Sequence, residues 1–137
     1  MLQAVSVGDG ISGASFALTV DGNAVFGVGS GDTVETKALY VKGTSTINGG
    51  KITTLETQTY DGDVTIGTVF AELISGTTQN PSSVIFNEDV LGLGLKVSGN
   101  LILGDSVSDK LETESLEVTG SSEVHSKTVT TKGTQKY

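Results

Sequence analysis

Along most of the chain, apolar and polar residues alternate in short runs. Leu18 and Val20 alternate with polar neighbours, and Leu39 and Val41 flank Tyr40 in the same way. A period of two places successive side chains on opposite faces of a β-strand, so the pattern predicts short strands with one face buried. Glycine and small polar residues separate these runs and predict tight turns. The chain is therefore predicted to be all-β.

A long stretch of the sequence is written twice. Residues 20–60 align with residues 97–137 without a gap, and 16 of the 41 aligned pairs are identical. The best-kept part is Ala38–Tyr60, which is copied as Ser115–Tyr137. A single unit of short strands cannot bury an apolar face alone, so neighbouring units are expected to cover one another.

Two repeat units follow from this alignment: an incomplete first unit at residues 1–60 and a second unit at residues 61–137. An extra loop is predicted within residues 68–92, which have no full counterpart in the first unit and contain Pro81, the only proline. Residues 107–122 contain helix-forming residues, but their copy carries Gly31 and Thr33, and Thr119-Gly120 ends the stretch. A strand is therefore predicted there as well.

A tandem-repeat parallel β-solenoid is the fold that these units favour, because stacked coils hydrogen-bond edge to edge and share one core. Five or six coils at ~4.8 Å each would form a rod of roughly 25–30 Å. An intertwined trimeric β-fibre and a β-sandwich built from the same repeats are the alternatives. The predicted inward pairs are Val25/Ile102, Leu39/Leu116, Val41/Val118, Ile47/Val124 and Ile52/Val129. Four threonines, Thr53, Thr54, Thr57 and Thr59, are predicted to line the outer surface or the corners.

Composition excludes several classes of function. The chain has no cysteine, one histidine, no arginine and a net charge of −8. Zinc sites of the Cys/His kind and thiol or Ser–His nucleophiles cannot be assembled from such a set within one chain. The negative charge repels a nucleic-acid backbone, and no apolar run is long enough to span a membrane. No signal peptide is visible in the first ten residues.

Two acidic clusters, Asp61-Gly62-Asp63 and Asn87-Glu88-Asp89, are the candidates for a cation site. Calcium needs six or more oxygen ligands, and neither the EF-hand spacing nor a Gly-Gly-x-Gly-x-Asp nonapeptide repeat is present. Solvated turn carboxylates are therefore the preferred interpretation. Asp32 recurs as Asp109 and Glu35 recurs as Glu112, one repeat unit apart. This recurrence indicates a structural role for the carboxylates rather than the two-carboxylate site of a glycosidase.

Three other features are interpreted as structural. Residues 27–31 form a glycine-rich stretch without the Lys-Ser/Thr and the helix of a phosphate-binding loop, so a turn is predicted. Tyr60 and Tyr137 could stack on sugars but are predicted to be buried anchors of the repeat. His125 replaces Asn48 of the first copy and is predicted at a surface corner. No catalytic, cofactor-binding or metal-binding residue is predicted, and the chain is not expected to be an enzyme.

The repeat resembles the β-strand repeats of filamentous haemagglutinin-like secreted adhesins. The residues that carry the resemblance are Ala17–Gly22, Phe26-Gly27, Leu39–Thr54 and Gln58–Ile66, and in the second copy Leu95–Gly99, Leu103-Gly104, Leu116–Thr131 and Gln135–Tyr137. The second copy departs from the pattern at Glu123 and at residues 125–127. The resemblance implies a structural or adhesive repeat segment, exported to the extracellular space or the cell surface, which could contact a host-cell or surface ligand.

The ends of the sequence complement each other. In the first unit, residues 61–67 come directly after Tyr60, whose copy is Tyr137. Val5-Ser6-Val7-Gly8, near the start of the chain, matches Val64-Thr65-Ile66-Gly67 and so resembles the segment that would follow Tyr137 in a continued repeat. Head-to-tail stacking of the chain on itself is predicted from this match, although a segment cut from a longer array would show the same complementarity.

Two further hypotheses for the function are a phage-type tail or receptor-binding fibre segment, and a bactofilin-like cytoskeletal polymer. The repeats of bactofilin-like polymers are usually shorter than the one found here.

Overall fold

Twenty short β-strands, with no helix between them, make up the part of the chain that the computed structural model describes, residues 5–7, 10–13, 15–67, 70–126 and 128–137. Every strand pair is parallel. Consecutive strands visit three sheets in turn, so each circuit of the sheets makes one coil. The fold is a parallel β-solenoid, which confirms the first interpretation of the sequence.

The three sheets run along the length of the solenoid. Sheet 1 contains β1 (Val5–Val7), β4 (Ala24–Phe26), β7 (Ser45–Ile47), β10 (Val64–Ile66), β13 (Val90–Gly92), β16 (Lys110–Thr113) and β19 (Thr128–Thr131). Sheet 2 contains β2 (Gly10–Gly13), β5 (Thr33–Thr36), β8 (Lys51–Thr54), β11 (Ala71–Ser75), β14 (Leu95–Ser98), β17 (Leu116–Val118) and β20 (Gln135–Lys136). Sheet 3 contains β3 (Leu18–Val20), β6 (Leu39–Val41), β9 (Gln58–Tyr60), β12 (Ser83–Phe86), β15 (Asn100–Leu103) and β18 (Ser122–Val124).

The core is a column of aligned side chains enclosed by the three sheets. On sheet 3 the register places Val20 against Val41 and Val41 against Tyr60, so one full coil leads from each of these residues to the next. The Tyr60 and Phe86 rings then stack, with centroids 5.3 Å apart and planes inclined by 20°. Each coil therefore buries the apolar face of the coil below it, as expected for a repeat protein.

The two sequence copies lie on different faces of the solenoid. Their alignment matches β3 with β14 and β9 with β20, which is a shift of eleven strands and not a whole number of three-strand coils. As a result, β3 and β9 belong to sheet 3, whereas β14 and β20 belong to sheet 2. The second copy is thus rotated by a third of a turn about the solenoid axis relative to the first.

Local structure is kept in spite of this rotation. Gly27 and Gly104, which are copies of each other, have φ of 77° and 78°, a left-handed conformation that favours glycine. In both loops the aspartate that follows, Asp32 or Asp109, accepts two backbone N–H groups of its own loop at 2.7–3.0 Å. The residues of the loop therefore specify its shape, whichever corner of the solenoid it occupies.

Six of the ten predicted inward residues are buried. These are Leu39, Val41, Ile47, Ile52, Leu116 and Val118. The prediction was wrong for Val25 and Ile102, which face outward and are partly exposed, because the strict alternation turns Ala24 and Phe26, and likewise Leu101 and Leu103, inward.

The other two predicted inward residues lie in the last coil. Val124 is 44% exposed and Val129 is partly buried, since no described strand covers β18 or β19. Among the threonines, the prediction was wrong for Thr54, which is fully buried and donates its hydroxyl to the carbonyl of Glu56. An inward hydroxyl can thus be satisfied by the backbone at the corner.

The stretch 68–92 is mostly strand where the structure describes it. β11, β12 and β13 continue the three sheets, and among residues 70–92 the chain leaves the coil between Gly76 and Ser82. An antiparallel bridge between Gly76 and Pro81 closes this excursion. The loop predicted within residues 68–92 is thus confined to these few residues around Pro81, at the corner between sheets 2 and 3.

Candidate functional site: the C-terminal end face

Acidic side chains from successive coils line the corner between sheets 3 and 1. Loss of hydration raises the pKa of the Glu88 carboxyl above its ordinary value, and four nearby carboxylates add to this. In decreasing order of effect these are Asp109, Asp105, Asp63 and Asp89. No group of three or more His, Asp or Glu side chains that could hold a metal ion occurs among the described residues.

The corner itself uses several of these carboxylates. Asp61 accepts the Tyr40 hydroxyl at 2.5 Å and the Asn87 side-chain amide at 2.8 Å. The bond from Tyr40 to Asp61 raises the pKa of the Tyr40 hydroxyl. Asp89 accepts the backbone N–H of Lys110 at 3.0 Å, which links two coils. The two acidic clusters predicted from the sequence are thus brought together in successive coils, where these groups bond to the chain itself.

The raised pKa of Glu88 predicts a pH-dependent effect on stability. Since its folded-state pKa lies above the ordinary 4.5, protonation favours the folded state, and this stability is lost as pH rises through the folded-state pKa. We therefore expect Glu88→Gln to raise the melting temperature at pH 7 by a small amount. The difference should shrink below about pH 4 and in high salt.

Glu114→Gln is the matched control for this measurement, because Glu114 faces the Lys132 ammonium at 3.7 Å rather than other carboxylates. Its melting temperature at pH 7 should not rise. An equal rise in both variants would show that the effect is a general response to lower net charge.

The recurring carboxylates do not form a common site. Glu35 lies on sheet 2 and its copy Glu112 on sheet 1, in different coils. Hydrogen bonds from the Val28 and Gly29 backbone N–H groups lower the pKa of Asp32. These same N–H groups belong to the glycine-rich stretch 27–31, where the Asp32 carboxylate occupies the place that a phosphate would need.

An open groove lies beside the excursion between β11 and β12. It has a volume of about 390 Å³ and is lined by the loop residues Gly76, Thr77 and Pro81 on one side and by Gly99 and Gly120 on the other. It has room for a small polar ligand or an extended segment of another molecule.

A buried polar pair distinguishes the interior of the first copy. The Tyr60 hydroxyl donates to the Gln58 side-chain oxygen at 3.0 Å, and the Gln58 amide donates to the carbonyls of Ile52 at 3.2 Å and Ile74 at 2.7 Å. Both side chains are fully buried, and burial raises the pKa of Tyr60. The Ile74 carbonyl comes from the coil above, so the Gln58 amide ties two coils together. Tyr60 is predicted from the sequence as a buried anchor, whereas Gln58 is not, although Gln-x-Tyr recurs in both copies.

The same pair ends the chain in an exposed setting. Tyr137 donates to Gln135 at 3.4 Å, and Gln135 donates to the Val129 carbonyl at 3.4 Å, as in the first copy. Tyr137 is nevertheless 57% exposed, and no described residue supplies the second carbonyl that Ile74 gives to Gln58. The buried anchor predicted from the sequence is therefore correct for Tyr60 and wrong for Tyr137.

The last coil ends in a surface that we call the C-terminal end face. It is defined by the edges of β18, β19 and β20 that do not pair with the preceding coil. Its inward side chains are Ser122, Val124, Val129, Thr131, Gln135 and Tyr137. Their copies in the first unit, which the next coil covers, are Ser45, Ile47, Ile52, Thr54, Gln58 and Tyr60, and all six are buried. Within the described part of the chain, the backbone edges of these three strands pair on one side only. The end face can therefore accept a further coil.

His125 is exposed at a corner as predicted, and its ring nitrogen lies 2.8 Å from Glu123.

No helix that could cross a membrane is found in the described residues. Comparison with protein-family models identifies no matching family, and comparisons with curated proteins and with solved structures identify no match. The resemblance to filamentous haemagglutinin-like repeats stays a prediction made from the sequence.

Proposed function

We propose that this chain is a structural segment of an extracellular surface protein or fibre, which stacks head to tail with further copies and presents its lateral loops for adhesion. The observation that carries the proposal is the C-terminal end face, whose side chains are copies of six buried residues. An uncovered coil of this composition is an open strand edge, which binds another strand unless it is blocked. The extracellular setting rests on the resemblance of the repeat to secreted adhesins.

The expected strength of stacking follows from a few magnitudes. Full burial of Val124, Val129 and Tyr137 contributes at most about 1.5–3 kcal/mol each. That total is similar to the estimated cost of association, about 4–15 kcal/mol. Backbone hydrogen bonds along three strand edges, at about 0.5–1.5 kcal/mol each, then decide the balance. Assembly should therefore depend strongly on concentration.

Sedimentation velocity and electron microscopy test this proposal. The unmodified chain should form rods of uniform width that lengthen with concentration, whereas Val124→Lys should remain monomeric, because it places a charge in the centre of the contact. Val107→Lys is the matched control, since Val107 is 76% exposed in the loop between β15 and β16 and does not belong to the three strands of the end face. A monomeric unmodified chain at high concentration, or equal assembly of the two lysine variants, would contradict head-to-tail stacking.

A bactofilin-like cytoskeletal polymer is the second candidate, and the length of the coil favours it. The structural repeat is a single coil, such as the one from Val20 to Val41 or the one from Val41 to Tyr60. The much longer offset between the two sequence copies is therefore no longer a reason against a short-repeat polymer. The location of the protein in the cell that makes it separates the two candidates. Labelling at the outer surface supports the adhesive fibre, and labelling in the cytoplasm supports the polymer.

A further inference from the structure

We infer that successive copies in the stack are rotated by a third of a turn about the solenoid axis, so that the first coil of one copy continues the last coil of the next without a vacant strand position. This inference rests on the proposed head-to-tail stacking. It assigns the contact: β1 of one copy pairs with β18 of its neighbour, β2 with β19, and β3 with β20.

The order of the strands at the two ends is the first reason. The last three strands, β18, β19 and β20, lie on sheets 3, 1 and 2, so the next position to be filled lies above β18 on sheet 3. The first described strand, β1, lies on sheet 1. If copies stacked with their sheets in line, β1 would lie on β19, and β3 would be two strand spacings, about 10 Å, above β18. That arrangement leaves one edge of β18 unpaired in the middle of the contact, which is costly for backbone groups removed from water.

The first repeat unit shows the rotated contact within one chain, which is the second reason. β7, β8 and β9 are the sequence copies of β18, β19 and β20, and they are covered by β10, β11 and β12. β1 reads Val-Ser-Val where β10 reads Val-Thr-Ile. A third of a turn places β1 on β18 as β10 lies on β7.

The contact above Tyr60 within the chain also has a counterpart above Tyr137 in the rotated stack. Within the chain, Phe86 lies directly above Tyr60 in the β9–β12 ladder. In the rotated stack, Val20 takes the position of Phe86 and aligns with Tyr137, the copy of Tyr60. Val20 is an inward residue of β3, in the same ladder as Val41 and Tyr60, so its side chain is directed along the core that Tyr137 ends.

The three sheets are already interchangeable inside the molecule. The second copy keeps the glycine conformation, the aspartate loop and the hydrogen bond from tyrosine to glutamine of the first, although every strand lies one sheet away. A strand of this repeat can therefore pair on a neighbouring face with its local bonds unchanged. Rotation between copies repeats a relation that the chain shows between its own two units.

The rotation predicts the symmetry of the fibre. The twenty described strands, at three per coil and ~4.8 Å per coil, give a rise of about 32 Å per copy and an axial repeat of about 96 Å after three copies. Stacking with the sheets in line fills seven coils per copy and gives a repeat of about 34 Å with one copy in it. Helical reconstruction from electron micrographs distinguishes a rotation of 120° from one near zero.

Cysteine cross-linking tests the register directly, because the chain has no cysteine of its own. Ser12 lies in the same ladder of sheet 2 as Glu35 and Thr53. Thr130 in β19 is the copy of Thr53 in β8. In the rotated stack the backbone of Ser12 in one copy therefore lies beside that of Thr130 in the next, at a strand spacing that a disulfide spans. The double variant Ser12→Cys, Thr130→Cys should form a ladder of oligomers on a non-reducing gel, while each single variant should yield dimers at most.

The double variant Ser6→Cys, Thr130→Cys tests the arrangement with the sheets in line, because Ser6 occupies the same ladder as Thr130 on sheet 1. A ladder from this pair, or rods with no ladder from either pair, would overturn the rotation and leave head-to-tail assembly standing. A chain that forms no rods by electron microscopy would overturn both. A ladder from the first pair alone, lost on adding Val124→Lys, supports the rotated contact.

Discussion

Replacing Phe86 by alanine should lower the free energy of unfolding by about 3–5 kcal/mol. Phe86 is 1% exposed and lies in the middle of the column of side chains on sheet 3, where its ring stacks on Tyr60 at 5.3 Å between centroids. The solenoid has coils on both sides of this ring, so neither neighbour can close the cavity without leaving its own ladder. Urea unfolding at equilibrium, followed by circular dichroism, measures the change.

Phe16→Ala is the control for this prediction, because Phe16 is 77% exposed. Its effect on the free energy of unfolding should stay within about 0.5 kcal/mol. A loss below about 1 kcal/mol for Phe86→Ala would show that the column does not hold adjacent coils together in the way described.

Replacing Gln58 by leucine should cost about 1–3 kcal/mol, since it leaves the buried Tyr60 hydroxyl without its acceptor. The sequence repeat supplies the control. Gln135→Leu changes the same residue in the same local arrangement, but with Tyr137 exposed to water, so its effect on unfolding of the monomer should be close to zero. Similar losses in both variants would contradict a role for burial.

A second substitution separates the hydrogen bond from packing. Tyr60→Phe removes the hydroxyl that Gln58→Leu leaves unpaired, so the double variant should recover part of the stability lost by Gln58→Leu alone. The coupling from a double-mutant cycle should be at least about 0.5 kcal/mol. Additive losses would mean that the Gln58 amide acts mainly through the Ile52 and Ile74 carbonyls.

Much of the fold could be predicted from the sequence, because alternation and repetition are properties of single strands and of the order in which they occur. The strands at residues 39–41 and 116–118 are where the pattern places them, and their leucines and valines are buried. Alternation alone does not determine the orientation of Val25 and Ile102. Each lies between two other apolar residues, so the sequence offers two phases of alternation, and only the register with the neighbouring coils selects one.

The candidate site could be predicted only in part. The match between Val5–Gly8 and Val64–Gly67 pointed to the ends of the solenoid, but the sequence treats Tyr60 and Tyr137 alike. Their burial differs because a strand lies above β9 and no described strand lies above β20. Exposure at an end face is a property of stacking, which a repeated local sequence cannot encode.

The amino-acid sequence by itself determined the strands, the turns and the shape of individual loops, because side-chain alternation, glycine conformation and a nearby aspartate act over a few residues. The tertiary structure alone decided which face of the solenoid each strand joins. Each strand of this repeat joins one sheet in the first copy and a neighbouring sheet in the second, so the face depends on how many strands precede it along the coil. The copies at residues 20–60 and 97–137 therefore share their local bonds and differ by a third of a turn.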